Sequence, residues 1–183
     1  NWSTFRLFTA VDPDGDPQPI TTQPAVTLHP TIRATETAPN TLVFFGTGQF
    51  IVAGDHDTTA VQSFYGIWDG VDPDSDVPPY VRSKLVQQEI NPNPEDRSEI
   101  TLEGERFEIR RLSDKPVDYP VDKGWFVDFD DETGEDIGER VVVDSLLFGD
   151  LVTYLSFDTN ALMGVPMRVV TTIVIAFLLM AAL

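Results

Sequence analysis

Cysteine is absent from all 183 residues of the chain. Disulfides, thiolate zinc centres and cysteine nucleophiles are therefore excluded. Histidine is almost absent: His29 and His56 are the only two. A zinc site or an imidazole-based triad would have to rest largely on one of them. Basic residues are scarce as well, with 12 Lys and Arg against 30 Asp and Glu and a formal net charge of -18. Nucleic acid and anionic lipid both need positive charge at the contact, so neither is an expected partner. The same excess suits solubility and the binding of hard cations. No initiator Met and no positively charged leader stand at Asn1-Trp2, and the expectation is a chain processed or cut from a longer one. Its length suffices for one ordinary domain or for several blades of something larger.

Long apolar runs are missing until the C-terminus, where residues 169–183 (VVTTIVIAFLLMAAL) carry no charge over 15 positions. A bilayer span needs about 20 apolar residues. Extending the run back to Val165 brings in Pro166 and Arg168. Three readings stay open for this tail: the start of a membrane helix, an internal helix or strand pair, or non-native sequence from a shifted reading frame. Membrane contact is expected only if the tail is a native span. The expected division is residues 1–160 as one β domain and 161–183 as the apolar tail.

Short runs rich in β-branched and aromatic residues fill the rest. Residues 5–10 (FRLFTA), 41–45 (TLVFF), 64–68 (FYGIW), 124–129 (GWFVDF), 140–144 (RVVVD) and 150–156 (DLVTYLS) each read as a strand. Gly, Pro, Asp and Asn punctuate them, which predicts an all-β architecture of many short strands. Alternation in the fourth run assigns Trp125, Val127 and Phe129 to one buried face. Residues 81–89 (VRSKLVQQE) predict a short helix, ended by Asn91-Pro92-Asn93-Pro94. Residues 100–111 predict a charged-face strand pair around Gly104. The acidic segment 130–138 reads as an exposed loop. Gly46-Thr47-Gly48 lacks the rest of any phosphate-loop pattern. It is expected to be a hairpin turn leading into a further strand over residues 49–54.

Two segments share the pattern V-D-P-D-x-D: residues 11–16 and 71–76. Alternate aspartates in a tight loop can turn several oxygens to one point, and Ca²⁺ takes six to eight oxygens. Asp12, Asp14 and Asp16, and likewise Asp72, Asp74 and Asp76, are therefore candidate Ca²⁺ ligands. The bland reading is an Asp-rich turn whose side chains cap local backbone groups. Neither segment is an EF-hand, because the twelfth position is Gln23 in one and Ser83 in the other. The two lie 60 residues apart, longer than the roughly 40–50 of a propeller blade. Asp55, His56 and Asp69 could supply acid and base groups to a hydrolase. No nucleophile elbow accompanies them, and His56 reads better as a surface loop residue. Tyr65, Trp68 and Trp125 read as packing between sheets.

Residues 43–69 (VFFGTGQFIVAGDHDTTAVQSFYGIWD) resemble the G-T-G … Y-G-I-W-D segment in the C-terminal propeller of the PilY family, large type IV pilus biogenesis and tip proteins. Leu7-Phe8-Thr9-Ala10 with Gln18-Pro19-Ile20-Thr21 resembles the family's lead-in strand and turn. Lys123-Gly124-Trp125-Phe126 resembles its G-W strand. Gly138-Glu139-Arg140-Val141 with residues 147–153 resembles its G-E-R-V segment and the strand after it. All four stand in the family's order, over roughly residues 7–154. The resemblance implies a partial β-propeller of several antiparallel blades. It implies a non-catalytic part in pilus assembly and surface attachment, with pilins, minor pilins and a host or abiotic surface as partners. Export to the cell surface, pilus tip or outer membrane follows from it. Some family members bind Ca²⁺ at an Asp-rich loop followed by a G-N-x-W strand. That strand is missing here, so the Asp12 and Asp72 segments do not map onto the family site. The other readings are a Ca²⁺-dependent carbohydrate- or protein-binding domain and the hydrolase.

Overall fold

A computed structural model describes residues 4–35, 40–70, 78–91, 93, 98–102, 105–119, 121–130, 138–149, 151–157, 169–170 and 176–177. The strands in chain order are β1 (Ala25–Leu28), β2 (Thr41–Gly46), β3 (Ser63–Asp69), β4 (Val86–Gln88), β5 (Ser98–Leu102), β6 (Glu105–Ile109), β7 (Gly124–Asp128), β8 (Arg140–Val141), β9 (Leu146–Phe148), β10 (Leu151–Thr153), β11 (Ser156–Phe157), β12 (Val169–Val170) and β13 (Ala176–Phe177). Among the described residues the helical content is two single 3-10 turns, Asp55–Asp57 and Arg82–Lys84. The chain is all-β, in agreement with the sequence.

One five-stranded sheet, in the order β1-β2-β3-β7-β4, organises the molecule. Its pairings are antiparallel except β4 with β7, which is parallel. β3 lies at its centre and is buried on both sides, so it reads as a near-continuous apolar run. Phe64 and Trp68 point to one face, where Leu42, Phe44, Val127, Phe129, Val141, Val152 and Tyr154 complete a core. Tyr65 and Ile67 point to the other, against Phe45, Tyr80, Leu85 and Phe126. Phe64 stacks on Tyr154 with centroids 4.1 Å apart, and Tyr65 stacks on Phe45 at 5.2 Å. Val127 and Phe129 join the first core with Trp125 against it, as their alternation predicts. The opposite face of β7 is buried too, because Phe126 enters the second core.

Two smaller three-stranded sheets, β13-β10-β9 and β12-β11-β8, and the β5-β6 hairpin complete the described strands. The strand pair around Gly104 is that hairpin. Of the tail, residues 169–170 pair with β11 and residues 176–177 with β10, both antiparallel. No helix among the described residues is long and apolar enough to cross a membrane.

Several local expectations are corrected. The helix over residues 81–89 is a 3-10 turn followed by β4. The Arg82 guanidinium is anchored on Asp128 of β7, and β4 takes its backbone partners from the same strand. Tertiary pairing thus overrides helix propensity here. Residues 5–10 are not a regular strand: Phe8 alone forms a bridge, with Tyr80. Residues 49–54 are not a strand either, so Gly46-Thr47-Gly48 is not the turn of a short hairpin. β2 pairs instead with β3, across a connection of residues 47–62. The run 140–144 shortens to β8, and the run 150–156 divides between β10 and β11.

Candidate functional site

The motif segments of the sequence meet in space. Gly48 has φ +135°, and a Cβ on it would lie 2.5 Å from Arg140 Cβ. Only glycine allows both that dihedral and that approach. The Thr47 carbonyl accepts the Val141 N–H at 2.9 Å, and the Thr47 N–H donates to the Ser63 carbonyl at 2.9 Å. Gly46-Thr47-Gly48 is therefore the strip on which the Glu139-Arg140-Val141 segment lies. A second interlock joins Tyr65-Gly66-Ile67 to Gly124-Trp125. Gly66 pairs with Trp125 across the β3-β7 ladder, and a Cβ on Gly66 would meet the Trp125 indole at 2.7 Å.

Arg140 is buried and donates to four carbonyls. Its Nε reaches Gly138 at 3.0 Å. Its Nη1 reaches Gln49 at 3.0 Å and Asp55 at 2.7 Å, and its Nη2 reaches Thr58. Burial pushes the guanidinium below its ordinary value, and the Asp55 charge opposes that. The Asp55 carboxylate faces inward on the same turn. Oδ2 accepts the N–H groups of Ile51 at 2.7 Å and Val52 at 2.9 Å. Oδ1 accepts Gln49 Nε2 at 2.9 Å. These donors, the backbone ones first, hold the Asp55 carboxyl below the usual carboxylate range. The Ile51 and Val52 N–H groups are thereby taken by Asp55 and are not offered to a neighbouring strand. Next to Arg140, Glu139 is buried and forms a two-pronged pair with Arg110 at 2.6 and 2.8 Å, with Ser156 Oγ as a further donor.

A second buried network spans the other face of the sheet. Ser63 Oγ donates to Asp128 Oδ1 at 2.6 Å. Gln18 Nε2 donates to Ser63 Oγ and to the Val61 carbonyl, both at 2.8 Å. Tyr65 OH donates to Gln18 Oε1 at 2.6 Å, and Arg82 Nη1 reaches Tyr65 OH at 3.0 Å. Arg82 pairs with Asp128 and lies 3.9 Å above the centre of the Phe126 ring. Burial, before any of its polar neighbours, pushes the Tyr65 hydroxyl up. The lead-in segment, β3, the 3-10 turn and β7 are thus joined by one continuous set of polar contacts.

The candidate Ca²⁺ ligands divide. Asp72, Asp74 and Asp76 lie outside the described residues, as does most of the acidic segment 130–138. Asp12 heads a closed turn: Oδ1 accepts the N–H of Asp14 at 3.0 Å and of Asp16 at 2.8 Å. The Asp12 N–H donates to the Asp16 carbonyl at 2.9 Å, and Val11 bridges Pro17. Asp14 and Asp16 are exposed. Among the described residues no group of three His, Asp or Glu side chains is gathered in a way that could hold a metal ion. Nor are Asp55, His56 and Asp69 brought together. Asp55 and His56 lie in the 47–62 connection, at the Gly46 end of β2, whereas Asp69 pairs with Thr41 at the other end. Five steps of strand rise separate the two ends, about 17 Å. His56 Nε2 contacts the exposed Asp57 at 3.1 Å, the surface position its sequence suggested.

Residues 4–97 match the family described as the PilY1 beta-propeller domain. The chain belongs to that family. The type IV pilus biogenesis factor PilY1 of Pseudomonas aeruginosa is 29% identical over 165 residues, covering 84% of this chain. Two PilY1 homologues of Xylella fastidiosa are 26% and 30% identical, over 82% and 81% of this chain. The crystal structure of the P. aeruginosa PilY1 C-terminal domain is similar at a TM-score of 0.69 and 29% identity, over 84% of this chain and 31% of that one. This chain spans 13% of the length of the P. aeruginosa relative and 9% and 10% of the two from X. fastidiosa. The fold is that of a partial PilY1-type propeller, which the described strands do not close.

Sequence reasoning missed the charged residues that join the PilY1-type motifs: Arg140, Glu139, Arg110, Arg82 and Asp128. The available signal was their position within or beside apolar strand segments, where an unpaired charge would be costly.

Proposed function

We propose that this chain is a non-catalytic module of a type IV pilus biogenesis protein, acting in pilus assembly and in attachment to a surface. The observation that carries the reading is the joint that segment 138–141 forms with 46–48, beside the interlock of 124–126 with 64–68, in a fold similar to the PilY1 C-terminal domain. Asp55, Arg140 and Glu139 spend their charges on hydrogen bonds within that joint. Such an arrangement suits a rigid scaffold better than a reaction centre, which needs a charged group free to meet a substrate. Export follows from the same reading, with the module at the cell surface, the pilus tip or the outer membrane. Its partners are then pilins and minor pilins, and a host or abiotic surface.

The test is genetic. In the bacterium that encodes the chain, residues 41–157 are removed from the chromosomal copy, and surface pili and attached cells are counted. Loss of both is expected, with recovery when the wild-type segment is restored. Full piliation and attachment without the segment would sink the reading.

A further inference from the structure

His29 is buried at the end of β1, on the connection to β2. Its own N–H donates to the Asn40 carbonyl at 2.8 Å. Its Nδ1 faces two backbone donors, the N–H of Ile32 at 3.0 Å and of Thr31 at 3.3 Å, with the Thr31 hydroxyl 3.4 Å away. Backbone N–H groups can only donate, so Nδ1 is an acceptor. The imidazole is neutral with its hydrogen on Nε2. Nε2 is buried and has no hydrogen-bond partner among the described residues. The ring lies among aromatics, edge to face with Tyr119 at 4.5 Å and 89° and near Trp68 at 6.1 Å.

We propose that His29 is a pH-dependent latch: neutral, it holds the 29–32 turn against Trp68 and Tyr119, and on protonation it releases that turn and opens this end of the sheet. A proton added to Nδ1 would face two N–H donors, and the Thr31 hydroxyl, at a long 3.4 Å, is its nearest acceptor among the described residues. The groups packed around the ring do not relieve the charge. Asn40 is neutral. The Tyr119 hydroxyl stays protonated, pushed far up by burial and then by Asp122. Lys123 Nζ, 5.2 Å from the Trp68 ring, is itself cationic. Asp69, next to Trp68 on β3, projects to the opposite side of the sheet. Attraction of a cationic imidazole to the two rings offsets part of the cost but leaves the Nδ1 hydrogen opposed by the two N–H donors. Burial alone lowers the affinity of His29 for a proton. The sign follows: the latch is fully closed above about pH 6.5, the unfolded histidine value. It weakens as pH falls from there toward the lower folded value.

Because the chain has two histidines, both Cε1–H resonances can be followed by NMR through pH 4–8, with His56→Gln as the assignment. His29 is expected to titrate below the ordinary histidine value of about 6.5. Native-state hydrogen exchange at the Ile32 amide, corrected for intrinsic rate, is expected to report an opening constant that rises toward tenfold per pH unit below about 6.5. In His29→Asn, whose side-chain oxygen replaces the Nδ1 acceptor without titrating, that rise is expected to vanish. Titration of His29 at or above the ordinary histidine value, with constant Ile32 protection, would overturn the proposal. A rise that persists in His29→Asn would also overturn it. If that variant fails to fold, the two wild-type measurements decide by themselves.

Discussion

Two turns of this molecule are headed by an aspartate, and they differ in everything beyond that aspartate. Asp12 accepts N–H groups two and four residues ahead, on an exposed turn made from one short stretch of chain. Asp55 accepts N–H groups three and four residues behind, in a turn whose carbonyls are gathered by Arg140, 85 residues further on. The first turn is local and solvated. The second is a long-range joint, with a buried carboxylate on one side and a buried guanidinium on the other. The same side-chain chemistry therefore marks a surface reversal in one place and a tie between distant motifs in the other. Burial and sequence separation set the energetic weight of each, because a hydrogen bond exposed to water competes with water and a buried one does not.

The largest expected effect is at the joint. Arg140→Ala removes four hydrogen bonds from a charged donor, two of them buried, and leaves a cavity where the guanidinium was. A loss of about 3 kcal/mol or more is expected in urea unfolding. A loss below about 0.5 kcal/mol would remove the distinction between the two turns. Asp55→Ala is next: the Ile51 and Val52 N–H groups lose their acceptor, and limited proteolysis is expected to cut within residues 47–62 before any other described connection. Acid sharpens the same point. The folded Asp55 carboxyl is held below its ordinary value of 3.8, so its contribution is complete above that pH and is lost as pH falls through the lower folded value. Asp55→Asn should therefore flatten the acid limb of the stability profile below about pH 4, and an unchanged limb would contradict this. At the exposed turn, Asp12→Ala is expected to cost about 1 kcal/mol, as loss of a local cap does. Smallest of all is the response of that turn to Ca²⁺. Oδ1 of Asp12 is spent on two backbone N–H groups and no three acidic side chains gather there among the described residues, so the cost of Asp12→Ala should be the same in chelator and in millimolar Ca²⁺. A cost that grows with Ca²⁺ would identify an ion there.

Legibility from sequence follows the same division. The central strands were readable because β3 and β7 are continuous or alternating runs of Phe, Tyr, Trp, Ile and Val, bounded by Gly and Asp. The β5-β6 hairpin was readable from its alternation. β4 was not, because the sequence VRSKLVQQE carries helix-forming residues and its strand state depends on a partner strand some forty residues away. The segment after Gly48 was misread for a related reason. Gln49-Phe50-Ile51-Val52 has strand composition, but the Ile51 and Val52 N–H groups are taken by Asp55 and not by a ladder. The motifs themselves were visible. That Arg140 lies against Gly48, or that Asp128 receives Arg82, is information held in the packing and not in either segment alone.

The joint is most directly tested by a double-mutant cycle between its two ends. Urea unfolding of the wild type, Asp55→Ala, Arg140→Ala and the double variant would be compared under one set of conditions. If the 47–62 turn and the 138–141 segment form one unit, the double variant should be little less stable than Arg140→Ala alone. Strictly additive losses would mean that the two ends act independently, and would contradict the joint.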